Sequence, residues 1–458
     1  MINFAATAEK YRQELVILLE QWVRIPSVYD KETVTAEMPF GAGVAQALGW
    51  FENLGREAGF AAKSVDGYAV HAEYGTGQEY VYAFGHCDVV PAGEGWQSGP
   101  FRLVKSGDRL TGRGVIDDKG PLLAVFLALK LIRDKALPLK RRIRVVAGGN
   151  EESGFQCIRH YFRREPKPAY GFTPDAKFPV IHGEKGGVVL QITGPVANPA
   201  LYIAGGEVHN TIPDSVVVKN CWVAKETLEP FLAAENLTWE AVREEGRVAG
   251  FKLTGLGGHS SKPENANNPL EKVFTLLPQV LKEKWLEDLA PLLNGGSRDG
   301  RIFGLTAQGR CGSMTLVTTV LRLEGGRFRA TLSIRYPENV TLEEIRDKVG
   351  AYFQQHGLAG YEVKTIGNKR PHYMEPDSLL VRTLHGIYIK HTGDTASPVR
   401  VTSAGTYAAE MENSVIFGGE FPDGSAGNAH QAGEYGSEDA FVKAIGIYAE
   451  ALWTLGNL

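Results

Sequence analysis

The sequence predicts an α/β fold in which a mixed, mainly parallel sheet flanked by helices is interrupted by an inserted α+β domain. Three observations predict it. Apolar strands and amphipathic helices alternate from the start to about Gly186; hairpin-like pairs then take over; and the helix–strand alternation returns after Leu379. The expected boundaries are 1–186 with 378–458 for the first domain and 187–377 for the insert.

Each element has a local reason. Tyr11, Leu15, Leu18, Leu19 and Trp22 recur at helical spacing, and Pro26 ends that helix. A second helix is expected over Val44 to Ala58. The run EYVYAFGHCDVV reads as a buried strand, and PLLAVFLALKLIRDKAL as a helix opening at Pro121, whose missing N–H costs nothing in a first turn. RRIRVVAGGNEES is a strand running into a polar loop. In the insert, TLVTTVLRLEGGRFRATLSIRYP predicts a hairpin around Glu324, Gly325 and Gly326, followed by helix TLEEIRDKVGAYFQQHGL and strand YEVKTIG. GPVANP and NKRPHYMEPDS are the candidate linkers, both rich in turn formers.

Bulk composition narrows the function. At 458 residues with 43% apolar and 22% charged residues, the chain can bury a large core. A net charge of −4 offers no general attraction to nucleic acid or anionic lipid, so neither is an expected partner. No apolar run reaches the roughly 18 residues that span a bilayer, and the N-terminus lacks the basic and apolar pattern of a secretion signal. Cys87, Cys157, Cys221 and Cys311 show no paired spacing, which fits reduced thiols and a cytoplasmic location.

Chemistry-bearing residues gather where strands are expected to end, which is where open α/β sheets place their ligands. His86 and Asp88 in GHCDVVPAGEGW suit a metal ligand with a carboxylate behind it, or a hydrogen-bonded turn. Asp117, Asp118 and Lys119 in GRGVIDDKGP suit a cation site or a helix cap. Glu151 and Glu152 in GGNEESG suit a base beside a ligand, or a solvated turn. Asp175 in FTPDAKFPV and His430 in NAHQAGEY say little singly. Together they supply the mixed His and carboxylate donors that zinc takes, and a carboxylate to bridge two metals.

The series GHCDVVPAGEGW, GRGVIDDKGP, NEESG, TPDAKFP, HSSKPE and AHQAGEY resembles the zinc aminoacylase and carboxypeptidase family of metallopeptidases, and within it the bacterial dipeptidase V branch. The resemblance runs from RIPSV to the IYAEAL helix. It implies a two-zinc hydrolase that cleaves dipeptides, with manganese or cobalt suited to the same donors. By that resemblance His86, Asp117, Glu152, Asp175 and His430 are metal ligands, with Asp117 bridging and joined to Asp118 by a cis peptide. Asp88 orients His86, and Glu151 is the general base. The insert becomes a lid in which His259 stabilises the oxyanion and Asn210 and Arg335 contact substrate.

The departures touch the implied pocket. Ala404 and Ala409 in SAGTYAAEM stand where relatives have glycine and arginine, Ala266 replaces a glycine, and His209 precedes Asn210 where a smaller residue is common. They leave a second substrate class open, N-acyl amino acids cleaved on the same centre. A binding protein without catalysis is a third reading, opposed by the complete donor set. The expected partner is a small peptide, and the chain is expected to act as a monomer or homodimer.

Overall fold

A computed structural model describes residues 2–221, 223–244, 247–358 and 360–458. The chain divides into two compact units. Residues 1–183, 374–400 and 406–458 form the first, and residues 184–373 and 401–405 form the second.

The first unit is built on a mixed sheet. Its strands run in the order Ala61–Val65, Ala69–Tyr74, Arg142–Gly148, Tyr80–His86, Tyr170–Thr173, Ser414–Ile416 and Ile181–Glu184. The middle strands, from Arg142–Gly148 to Ser414–Ile416, are mutually parallel. Antiparallel pairs close both sides. Parallel strands are covered on both faces, and Tyr80–His86 accordingly has no exposed residue. Helix Lys119–Asp134 is almost wholly buried because the neighbouring helices Arg12–Val23 and Glu438–Leu455 cover it. It begins two residues before the expected Pro121, which sits inside its first turn.

The N-terminal helix spans Arg12–Val23 and buries Leu15, Leu19, Trp22 and Val23; Leu18 is only partly covered. Lys119 secures its end. The Lys119 ammonium is fully buried and donates to the carbonyls of Trp22 and Ile25 at 3.0 and 2.9 Å, as a further donor to each where the helix ends. Burial lowers its pKa to about 8.

The second unit carries an eight-stranded antiparallel sheet with its own apolar core. Strands Thr315–Glu324 and Arg327–Tyr336 form the expected hairpin. Gly325 and Gly326 both take positive φ, 56° and 74°, the two-residue turn whose twist matches the strands it joins. Helix Leu342–Gln355 starts where the Thr341 side chain accepts the Glu344 N–H, and strand Glu362–Lys369 follows. GPVANP lies inside this unit, at the end of strand Gly186–Pro195, and so joins no units, whereas NKRPHYMEPDS contains the crossing at Tyr373 and Met374. All four cysteines are buried free thiols. Among the described residues no helix is long and apolar enough to cross a membrane.

Candidate metal centre

Three adjacent parallel strands deliver most of the site. His86 is the last residue of strand Tyr80–His86, Glu151 and Glu152 follow strand Arg142–Gly148, and Asp175 follows Tyr170–Thr173. Parallel neighbours end on the same edge of a sheet, so their following loops meet. Asp117 comes from the turn before helix Lys119–Asp134, and His430 from the loop between Glu420 and Tyr435.

These side chains converge. His86 Nε2 lies 3.0 Å from Asp117 Oδ1 and 3.8 Å from Asp175 Oδ1. His430 Nε2 lies 2.8 Å from Asp117 Oδ2 and 3.1 Å from Glu152 Oε1. Asp117 thus faces one imidazole with each oxygen. Single donor atoms of His86, Asp117 and Glu152 fall within 4.8 Å of one another, and so do those of His86, Glu151 and Asp175. The Asp117–Asp118 peptide is cis. Asp118 makes no side-chain cap to the helix; its Oδ2 instead accepts the His86 backbone N–H at 3.1 Å.

Asp88 is fully buried and does more than face His86. Its backbone carbonyl lies 2.9 Å from His86 Nδ1, nearer than its carboxylate at 3.6 Å. That contact directs the ring's other nitrogen toward the cluster. The carboxylate accepts the Glu151 and Glu152 N–H groups at 3.0 and 3.1 Å, fixing the backbone that carries both acids.

Burial is the largest influence on the acids. It raises Glu151 well above the ordinary carboxyl range, with the Asp175 charge adding to it. Glu152 is pushed up to about 7 by burial and then by Asp117. Burial would raise Asp117 as well, but hydrogen bonds with His430 and His86 outweigh it and hold this carboxyl below its usual range. Burial lowers His86, and bonds to Asp117, Asp175 and Asp88 more than reverse that. The half-exposed His430 is pushed up to about 11 by Asp117 and then Glu152.

The donor set fits divalent cations. Two imidazoles stand among a larger number of carboxylates in a partly buried cluster, and the surplus acid draws protons onto both rings. A divalent cation is the alternative partner for those same lone pairs, and its binding restores the neutral imidazoles that ligate metal.

Sequence reasoning passed over Glu434, three residues beyond the AHQ of the His430 motif. It is fully buried, and its Oε1 accepts the N–H groups of Ile116 and Asp117 at 3.0 and 3.2 Å. The only hint in the sequence was an acid embedded in AHQAGEY, with nothing local to name its partner.

The second unit holds the other expected residues. Asn210 and His259 sit side by side, since Thr211 pairs with His259 across a short ladder and the Ser260 N–H donates to the Asn210 carbonyl at 2.9 Å. His259 Nδ1 accepts the Ser261 N–H at 3.1 Å and lies 2.6 Å from Ser261 Oγ. A backbone N–H can only donate, so the proton of the neutral ring falls on Nε2 and makes it a donor. Ser333 Oγ donates to Ser260 Oγ at 3.1 Å, and Arg335 lies two residues on, along the same face of its strand. Arg335 is largely buried, and its Nε has no hydrogen-bond partner among the described residues. Burial lowers its pKa, partly offset by the Glu184 charge. Gly187 stands opposite it, and a Cβ there would come within 2.7 Å of Arg335 Nη1. Of the altered positions, Ala409 is buried in a short 3-10 turn, and the Ala404 carbonyl accepts from Lys369 Nζ at 3.4 Å.

Comparison with known proteins agrees with this architecture. The profile described as Peptidase family M20/M25/M40 matches residues 83–454. The Bacillus subtilis protein named "Putative dipeptidase YtjP" is 32% identical over 480 aligned positions, covering 100% of both chains. A Staphylococcus epidermidis protein named "Putative dipeptidase" is 30% identical, covering 97% of this chain and 98% of its own. Two solved structures share the fold. Human carnosine dipeptidase 1 has a TM-score of 0.59 at 15% identity and covers 99% of both chains. The M20 family metallo-carboxypeptidase Sso-CP2 of Sulfolobus solfataricus has a TM-score of 0.61 at 18% identity, covering 97% of this chain and 99% of its own.

Proposed function

The chain belongs to Peptidase family M20/M25/M40, and from that premise we propose that it is a zinc-dependent dipeptidase, using two metal ions and a glutamate base. The observation that carries this reading is the convergence of His86, Asp117, Glu152, Asp175 and His430, with Glu151 beside them, in a protein related over its full length to ones named dipeptidases.

His86 and Asp175 would hold one metal, Glu152 and His430 the other, with Asp117 shared. Such ions lower the pKa of a water and polarise the scissile carbonyl. The chain's own groups do the rest. Glu151 removes the proton from the attacking water and passes it to the leaving amine. Asp88 holds Glu151 and Glu152 in place through their N–H groups. From the second unit, which we read as a lid, His259 donates its Nε2 proton to the oxyanion. Arg335 pairs with the free carboxylate of the substrate, and Asn210 adds a polar contact.

N-acyl amino acid cleavage is the second reading. It is favoured by Ala409, a small buried side chain where the resemblance described above implies an arginine. One panel decides between them: dipeptides, tripeptides and N-acetyl amino acids offered to the zinc- or manganese-loaded protein, with a chelated control. Chelator-sensitive cleavage of dipeptides alone is expected. Cleavage confined to N-acetyl amino acids overturns the substrate, and cleavage that survives chelation overturns the mechanism.

A further inference from the structure

We propose that Glu434 and Arg113 form a positioning pair that sets the geometry of the second metal, the one assigned above to Asp117, Glu152 and His430. The inference rests on that two-metal reading and extends it to residues with no role in it so far.

The pair is a buried junction. Arg113 is 1% exposed and Glu434 0% exposed, and Arg113 Nη1 donates to Glu434 Oε2 at 2.7 Å. An ion pair so far from water costs desolvation energy and adds little stability of its own, so we read it as having a use beyond stability. The use is visible in what each partner also touches. The other Glu434 oxygen accepts the Ile116 and Asp117 N–H groups, so Glu434 grips the backbone of the shared ligand itself. Its backbone carbonyl accepts the Gly112 N–H at 3.0 Å. Arg113 Nη2 donates to Ala92 and, at 3.4 Å, to Pro91, in the loop that follows His86 and Asp88.

Glu434 is also four residues from His430. The strand after it, Tyr435–Ser437, pairs antiparallel with Arg109–Thr111, so the segments carrying His430 and Asp117 are laid against each other. His430 is half-exposed with a left-handed backbone, φ 63°, and its ring meets Asp117 and Glu152. Glu434 is where the segment that carries His430 is tied to the Asp117 turn. Asp175 and Glu152 instead lie in the loops that follow strands Tyr170–Thr173 and Arg142–Gly148.

Two conservative variants separate the pair's contacts. Glu434→Gln keeps the shape and an oxygen for the two N–H groups but removes the charge facing Arg113. Glu434→Asp keeps that charge and withdraws the oxygen from the Ile116 and Asp117 amides. Stepwise zinc affinities, measured by competition with a chromophoric chelator, are compared with thermal unfolding of the chelated proteins. The wild-type chain is expected to bind two zinc ions. Outer-shell partners of ligands are typically worth about 10- to 100-fold in metal affinity, so Glu434→Asp should weaken one of the two stepwise zinc affinities by at least about tenfold and the other by clearly less, because the first metal shares only Asp117 with the supported segment. Should Glu434→Gln fail to fold because Arg113 is left unpaired, Glu434→Asp alone carries the test. Wild-type stoichiometry of two with both affinities unchanged in Glu434→Asp overturns this proposal and leaves the metal reading standing. Equal weakening of both sites, with a lower unfolding temperature of the chelated chain, also overturns it by showing a general structural role. Wild-type stoichiometry below two removes the two-metal reading on which it rests.

Discussion

The two units place their functional side chains in opposite ways. In the first, His86, Asp88 and Glu434 are fully buried, and backbone N–H groups pin the acids behind the cluster. In the second, His259 is exposed on a ladder of two residues per strand with exposed Asn210 just before it, and the Nε of the partly buried Arg335 has no hydrogen-bond partner among the described residues. Metal chemistry needs donors held within fractions of an ångström, which a sheet edge and buried hydrogen bonds supply. In the second unit the Arg335 Nε has no hydrogen-bond partner among the described residues, which leaves a donor for the substrate contact proposed above.

The largest expected effect breaks the first region. Glu151→Ala should lose at least about 100-fold in kcat, the lower range for a general base, while metal content by elemental analysis stays at the wild-type level. Loss of metal in that variant would make Glu151 a ligand, a role its closeness to His86 and Asp175 permits.

Next comes the second region. Arg335→Met should cost about 10- to 100-fold in kcat/KM, the worth of one charged hydrogen-bonded contact, mostly through KM. A dipeptide whose carboxyl is blocked as an amide should be a poor substrate for the wild type and no worse for the variant. A further loss with the blocked substrate would remove Arg335 from carboxylate binding.

A pH experiment sharpens the contrast without mutation. In the metal-free chain Glu152 is raised from 4.5 to about 7. The folded state then holds more protons than the unfolded one between those values. Its contribution to stability is complete below about pH 4.5 and falls away as pH rises through about 7. Zinc takes the place of those protons, so it binds more tightly at higher pH. The difference in unfolding temperature between zinc-loaded and chelated protein should therefore widen from pH 5 to pH 8. A constant difference would argue against proton-for-metal exchange in the cluster.

The smallest effect is steric. Gly187→Ala places a Cβ against Arg335 Nη1, the mobile end of a long side chain that can give way. A displacement costing about 1 kcal/mol would raise KM about fivefold, with kcat and the unfolding temperature little changed. An unchanged KM would mean that Arg335 has room to spare.

The sequence by itself determined the elements and the donors. The buried strand ending in His86, the Gly325–Gly326 hairpin and the helix opening at Thr341 follow from local periodicity and turn chemistry. The acids at GRGVIDDKGP and NEESG stand out because unpaired carboxylates are costly at strand ends unless something binds them. Their assignment to particular metals came from resemblance, since spacing along a chain does not say which groups meet. Tertiary structure alone decided what supports them. The Asp88 carboxylate turned out to hold two N–H groups more than 60 residues away, and Arg113 to meet Glu434 across 321 residues. Residues 401–405 joined the second unit although both neighbours in sequence belong to the first. Period and propensity describe a residue's relation to the few on either side of it, whereas a buried hydrogen bond between distant segments exists only once the sheet has brought their loops to one edge.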